Sequence, residues 1–262
     1  MNVRIPNDFS ISTDPIARSM FNDDLYDWWG RMLNLEDVHQ YATGSGVVIA
    51  VLDSGLKDHP DLPQRGINVN FTDSNEIVNG HGTHVTGIIN MQVNGRGYVG
   101  ISPNAIVNMG TVLAGPDGIG PESWLLDACD WVLDTEPDIL NMSLSFDAES
   151  KKMAKKIDQM QEKGILVVAA AGNNFSKQLA FPASHIFSLA VGAHDAGKLP
   201  ANFSNTAKNI EQAKKMLLAP GVHVNSSWID GNYRSASGSS MATPMVSGCA
   251  ALIIELERNL GS

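Results

Sequence analysis

Residues 46–55 read Gly46-Val47-Val48-Ile49-Ala50-Val51-Leu52-Asp53-Ser54-Gly55, a short and nearly continuous apolar run that ends in a carboxylate and a turn. A run of this kind is how a strand buried on both faces of a parallel sheet reads, because neither face alternates with polar residues. Ile165–Ala171 (ILVVAAA) repeats the pattern, and Asp138–Ser145 and Ser188–Gly192 read as further strands. Helical patterns lie between them, at Gly82–Asn90, Glu122–Asp134, Lys151–Lys163 and Ser240–Asn259. The alternation predicts an α/β fold, with a mostly parallel central sheet and helices on both faces. In such sheets functional groups gather beyond the carboxyl ends of the strands. Asn205–Leu218, a charged helical pattern between loops, is expected to be a surface insertion.

The chain has 262 residues, of which 43% are hydrophobic, with 24 Gly and 12 Pro, a composition that suits one compact domain with many tight turns. Lys and Arg number 18 against 28 Asp and Glu, a formal net charge of −10. Phosphate backbones and anionic lipid are therefore repelled on average, so neither nucleic acid nor a membrane is expected as a partner. No apolar run stands out at the roughly 18 residues that crossing a bilayer requires. The first twenty residues lack the charged region, apolar stretch and cleavage site of a secretory signal, and a cytoplasmic location is the expectation. Cys129 and Cys249 each fall in an apolar helical segment and read as buried thiols, not as a disulfide. Oligomeric state is not legible.

Asp53 alone carries little, since a carboxylate after a strand commonly caps the next helix. Asn79-Gly80-His81-Gly82-Thr83-His84-Val85 then places His81 at the start of an apolar helix. Two histidines three apart could hold a metal, but the glutamate and spacing of HExxH are missing, and zinc is the minor reading. Ser237-Gly238-Ser239-Ser240-Met241-Ala242-Thr243-Pro244 precedes another apolar helix. Small residues there permit a sharp turn, and a helix N-terminus offers free N–H groups and a positive field. A serine hydroxyl is a poor nucleophile until a base takes its proton, and that base needs a carboxylate to fix its tautomer. Asp53, His81 and Ser240 supply those three roles.

In the order Asp, His, Ser, these segments resemble the signature segments of the subtilisin-like serine proteases. The similarity runs from about Asn22 to about Leu256 and includes GSGVVIAVLDSG, HPDL, ILNMSL, VVAAAGN and LAPGV. It implies a subtilisin-like fold and a serine endopeptidase that works through an acyl-enzyme. It also implies that Asn173, with the Ser240 N–H, holds the oxyanion. Gly118-Ile119-Gly120 and Ser143-Leu144-Ser145 match the segments between which the family holds an extended peptide as an added strand. A structural Ca²⁺ bound by Asp23, Asp61 and Asn94 is implied as well, hard oxygen ligands from three segments suiting that ion.

The chain departs from the family pattern in four places. Ser145-Phe146-Asp147 replaces the usual Gly-Gly after Leu144, Glu122 stands where an aromatic often lies, and Arg96 sits inside the calcium loop Val93–Gly100. Only 22 residues follow Ser240, so a shortened C-terminus is expected. Residues 1–21 read as a leader resembling the short propeptides of intracellular subtilisins, and 22–262 as the catalytic domain. Extended segments at Val3–Pro6 and Phe9–Ser12 could lie along the substrate edge as a peptide does, with Pro6 hindering their own cleavage. Two rival readings stand beside the protease: a non-catalytic peptide-binding module on the same fold, and a metal hydrolase acting through His81 and His84.

Overall fold

A computed structural model of the chain describes residues 1–6, 10–12, 25–63, 66–176 and 178–261. The first half holds β1 (Asn2–Arg4), β2 (Ser10–Ile11), α1 (Trp28–Met32), α2 (Leu35–Val38), β3 (Val48–Asp53), β4 (Asn68–Asn70), α3 (His81–Asn90), β5 (Ile106–Thr111) and β6 (Ile119–Pro121). The second half holds α4 (Glu122–Thr135), β7 (Ile139–Met142), β8 (Ser145–Phe146), α5 (Lys151–Glu162), β9 (Leu166–Ala170) and β10 (Ser188–His194). It closes with α6 (Ile210–Ala213), β11 (Met216–Pro220), β12 (Val224–Ser227), β13 (Tyr233–Ser237) and α7 (Ser239–Leu260).

Seven strands form one sheet in the order β11-β10-β9-β7-β3-β5-β4, and every neighbouring pair in it is parallel. The apolar run of β3 explains its central place. Ile49 and Val51 join the core on the face covered by α3 and α7, while Ala50 and Leu52 join the core on the face covered by α4 and α5. Alternate side chains point to opposite faces of a strand, so a strand covered on both sides must be apolar throughout. Chain order reverses direction at β3: β5 and β4 lie to one side, and β7, β9, β10 and β11 to the other. The crevice beyond the carboxyl ends at such a reversal is where open α/β sheets hold their ligands. Asp53 ends β3, Ser143 follows β7 and Asn173 follows β9 by three residues.

By length and composition alone α7 could cross a bilayer, contrary to the reading that no run is long enough. Its first turns are fully buried and it packs on α3, β7, β9, β10 and β11, which makes it the core helix of this fold. Toward its far end the buried Glu255 carboxylate accepts N–H bonds from Thr43, Gly44 and Ser45 at 2.7, 2.6 and 3.1 Å. The turn leading into β3 is thereby tied to α7.

The expectation of a surface insertion at Asn205–Leu218 is corrected in part. Only Ile210–Ala213 is helical, and Met216–Pro220 is the edge strand β11, parallel to β10. Lys215, just before it, turns its ammonium inward onto the carbonyl oxygens of Ala183 (2.8 Å), Ser188 (3.3 Å) and His185. Burial lowers its pKa to about 8. Both cysteines are free thiols.

Two small sheets flank the crevice. Strand β1 lies between β6 and β8, antiparallel to both, and β2 pairs antiparallel with β13.

Candidate active site

The sequence brings a carboxylate, an imidazole and a hydroxyl from three separate elements into the crevice. All three residues, Asp53, His81 and Ser240, are fully buried. His81 opens α3, where its backbone N–H is held by Asn79 Oδ1 at 2.9 Å. Its Nδ1–H donates to both Asp53 oxygens, at 2.7 and 2.9 Å. An ionised carboxylate can only accept, so this bond fixes the tautomer with Nε2 as the basic nitrogen. Asp53 is oriented in turn by the Ser54 N–H at 2.7 Å. The residue after His81 must be glycine, because a Cβ on Gly82 would stand 2.3 Å from the Gly55 carbonyl and 3.2 Å from Asp53 Oδ1.

Ser240 occupies the second position of α7. Pro244 lies four residues on and has no N–H to give to the Ser240 carbonyl, which instead accepts the Ser143 hydroxyl at 2.8 Å. The Ser240 hydroxyl donates back to the Ser143 carbonyl at 3.2 Å. Beneath them Ser247 donates to Asn141 Oδ1 at 2.8 Å, and Asn141 Nδ2 donates to Ser143 at 3.1 Å. A continuous buried polar chain therefore ties β7 to the helix that carries Ser240.

Asn173, also fully buried, accepts the Ser239 N–H through Oδ1 at 2.8 Å. Its Nδ2 is buried with no acceptor among the described residues. A buried amide donor left without a partner costs about 1–3 kcal/mol, and a place that stabilises a transient negative charge explains why one is kept.

The substrate-edge residues flank this centre. Gly118 leads into β6, which opens with Ile119 and Gly120, while Ser143 and Leu144 link β7 to β8, which begins at Ser145. Between the two edges lies the chain's own N-terminal strand. Val3 stands opposite Gly120 and Phe146, and Arg4 opposite Ile119 and Ser145. Ile5 N–H donates to the Gly118 carbonyl at 3.2 Å, and Glu122 N–H to the Met1 carbonyl at 3.0 Å. Farther along, Ser10 pairs with Ser237, three residues before Ser240.

Of the three candidate calcium ligands, Asp61 and Asn94 come together, and Asp23 lies outside the described residues. Asp61 is fully buried; it accepts the Asn94 amide at 2.9 Å, the Tyr233 hydroxyl at 2.7 Å and the Tyr98 N–H at 3.3 Å. Burial and then the bond to Asp61 push the Tyr233 hydroxyl well above the ordinary phenol range. The two histidines of the zinc reading belong to no group of three or more His, Cys, Asp or Glu side chains that could hold a metal among the described residues, and His81 gives Nδ1 to Asp53. His84 Nε2 donates to the carbonyls of Val224 (3.1 Å) and Arg234 (3.0 Å), and burial pushes its pKa down to about 3.

The subtilase family profile matches residues 44–262. This chain belongs to the subtilase family. Subtilisin BL of Lederbergia lenta is 38% identical over 214 residues, which cover 80% of this chain and 77% of that one. Subtilisin Savinase, also of Lederbergia lenta, is 37% identical over 214 residues with the same coverage. An alkaline protease of Alkalihalobacillus alcalophilus is 38% identical over 214 residues, and this chain spans about half (54%) of its length. Membership makes this subtilase a serine-type endopeptidase and implies protein or peptide substrates. Sequence reasoning did not find Ser143 as a hydroxyl partner, the use of Pro244 to free a carbonyl, or Tyr233 against Asp61. Of these only Pro244 left a signal, since a proline four residues after a helical serine removes the N–H donor to that serine's carbonyl.

Proposed function

We propose that this subtilase cleaves peptide bonds by acyl transfer, with Ser240 as nucleophile, His81 as general base and then acid, and Asp53 holding the imidazole and stabilising its charged form. The observation that carries the reading is the Asp53–His81 pair, buried beside a helix start that bears Ser240, with the Asn173 amide donor left open. Attack requires the hydroxyl to turn from the Ser143 carbonyl toward the imidazole. Asn173 Nδ2 and the Ser240 N–H then receive the oxyanion of the tetrahedral intermediate. Replacing Ser240 with Ala tests it: peptide cleavage is expected to vanish with the fold unchanged, and undiminished turnover would remove Ser240 from the mechanism.

We propose further that residues 1–21 act as an inhibitory leader over a catalytic domain of 22–262. The support is the place of β1 between β6 and β8, with β2 paired to β13 three residues before Ser240. A strand added there uses the backbone groups that a substrate needs, and Pro6, which lines a cavity with Asn79 and Gly80 just before His81, has no N–H to offer. Comparing the full chain with one beginning at Asn22 on one peptide substrate decides it: a faster short form supports the leader, and equal rate constants refute it.

A structural Ca²⁺ is proposed at Asp61 and Asn94, where a buried carboxylate and a side-chain amide meet from two segments. The donor set fits in part, because Asn94 turns its amide N–H to Asp61 and its oxygen to the Arg96 N–H at 3.1 Å, so an ion would have to displace that bond. An ion bound only by the native state raises the melting temperature by mass action. Identical melting curves in excess calcium and in chelator would remove the ion from this site.

A further inference from the structure

The chain's own strand in the crevice carries information about what the crevice selects. Val3 is fully buried and Ile5 nearly so, at 0% and 8% exposure. Alternation along a strand sends Arg4, between them, the other way. Its guanidinium pairs with Asp147, the residue that directly follows β8. Asp147 belongs to the Ser145-Phe146-Asp147 segment that replaces small residues of the family pattern.

We infer that Asp147 determines specificity by selecting a basic side chain, Arg or Lys, at the substrate position that takes the place of Arg4, between two aliphatic side chains in the places of Val3 and Ile5. The inference rests on the reading that a substrate lies between β6 and β8 as β1 does. Two ladders hold a strand there, and a slip of one residue would turn both aliphatic side chains out of their buried places. Register is therefore set by the apolar pair, and the intervening side chain meets Asp147. Ile5 itself shows how close the fit is, since a Cβ on Gly118 would lie 2.4 Å from the Ile5 Cδ1 atom. Asp147 and Arg4 each keep about two-fifths of their side chains exposed, 39% and 38%, so solvent screens the pair. The expected discrimination is accordingly about two- to five-fold per step of charge, weaker in high salt.

The test uses the full chain and three internally quenched peptides containing Val-X-Ile-Phe, with X as Arg, Gln or Glu, at low ionic strength. Competition from β1 lowers kcat/KM for all three peptides by one common factor, so their ratios are unaffected by it. The wild type is expected to rank Arg above Gln above Glu, Asp147→Asn to level the series, and Asp147→Lys to invert it. Mass spectrometry of the products fixes the register of cutting. The same ranking in the wild type and in Asp147→Lys, with cleavage intact, overturns the assignment of Asp147 alone. Failure of both the wild type and the form beginning at Asn22 to cut any of the three overturns the reading of the crevice, and this inference falls with it.

Discussion

Asn173 makes two bonds with two consequences that can be separated. Its Oδ1 holds the Ser239 N–H at the start of α7, and its Nδ2 is the open donor. Asn173→Ala removes both. Loss of the capping acceptor costs about 1 kcal/mol, which for a domain of this size lowers Tm by roughly 2–4 °C. Loss of an oxyanion donor costs about 10²–10³ in kcat, or about 3–4 kcal/mol, a magnitude measured on subtilisin itself, which is a relative of this chain. The first effect is too small to account for the second, because a loss of about 1 kcal/mol leaves an ordinary domain folded at 25 °C. Initial rates on a chromogenic peptide, at concentrations spanning KM, give kcat and KM separately. Melting is followed in a Ser240→Ala background so that self-cleavage does not interfere. The expected result is a kcat lower by two to three orders of magnitude, a KM within a few-fold, and a small fall in Tm. A kcat within about three-fold of wild type, or a loss carried wholly by KM, would refute the role given to Nδ2.

His84 is neutral in the native protein down to about pH 3, whereas in the unfolded chain it gains a proton near its ordinary value of 6.5. Its contribution is complete above pH 6.5 and is lost as the pH falls toward 3, by at most about 1.4 kcal/mol per unit. Urea titrations at pH 6.5 and 4.5 should differ by roughly 2–3 kcal/mol from this group, and His84→Gln should remove that part of the slope; an unchanged slope would contradict it. Lys215→Met leaves the carbonyls of Ala183, His185 and Ser188 without their common donor, and should cost about 1–3 kcal/mol with little effect on KM. An unaltered melting curve would show that water takes the place of the ammonium.

What could be read from the sequence was whatever is local. Strands β3 and β9 were legible because burial on both faces leaves an unbroken apolar run, and the helices α3, α4, α5 and α7 were placed to within a residue or two at each end. Strand β5 was not, since Asn108 and Gly110 interrupt it: Asn108 Oδ1 accepts the Ile67 N–H at 2.9 Å, and Gly110 lies against the Leu52 side chain. The predicted strand Asp138–Ser145 divides into β7 and β8, because Ser143 leaves the ladder to meet Ser240. β11 was hidden by the lysines before it, whose charge suggests a surface until Lys215 is seen to be turned onto three carbonyls. At the site, the roles of Asp53, His81 and Ser240 could be assigned from short motifs. The Asn94–Asp61–Tyr233 contacts could not, because they join residues far apart in the chain whose types are individually ordinary.

The central claim is that Ser240 is an activated nucleophile, and covalent labelling addresses it most directly. The full chain and the form beginning at Asn22 would each be treated with a fluorophosphonate, native and after denaturation, and the adduct mapped by mass spectrometry. The account predicts one adduct, on Ser240, formed faster in the shorter form, absent after denaturation and lost in His81→Ala. No adduct in either native form, or labelling that survives denaturation or is spread over other serines, would contradict it.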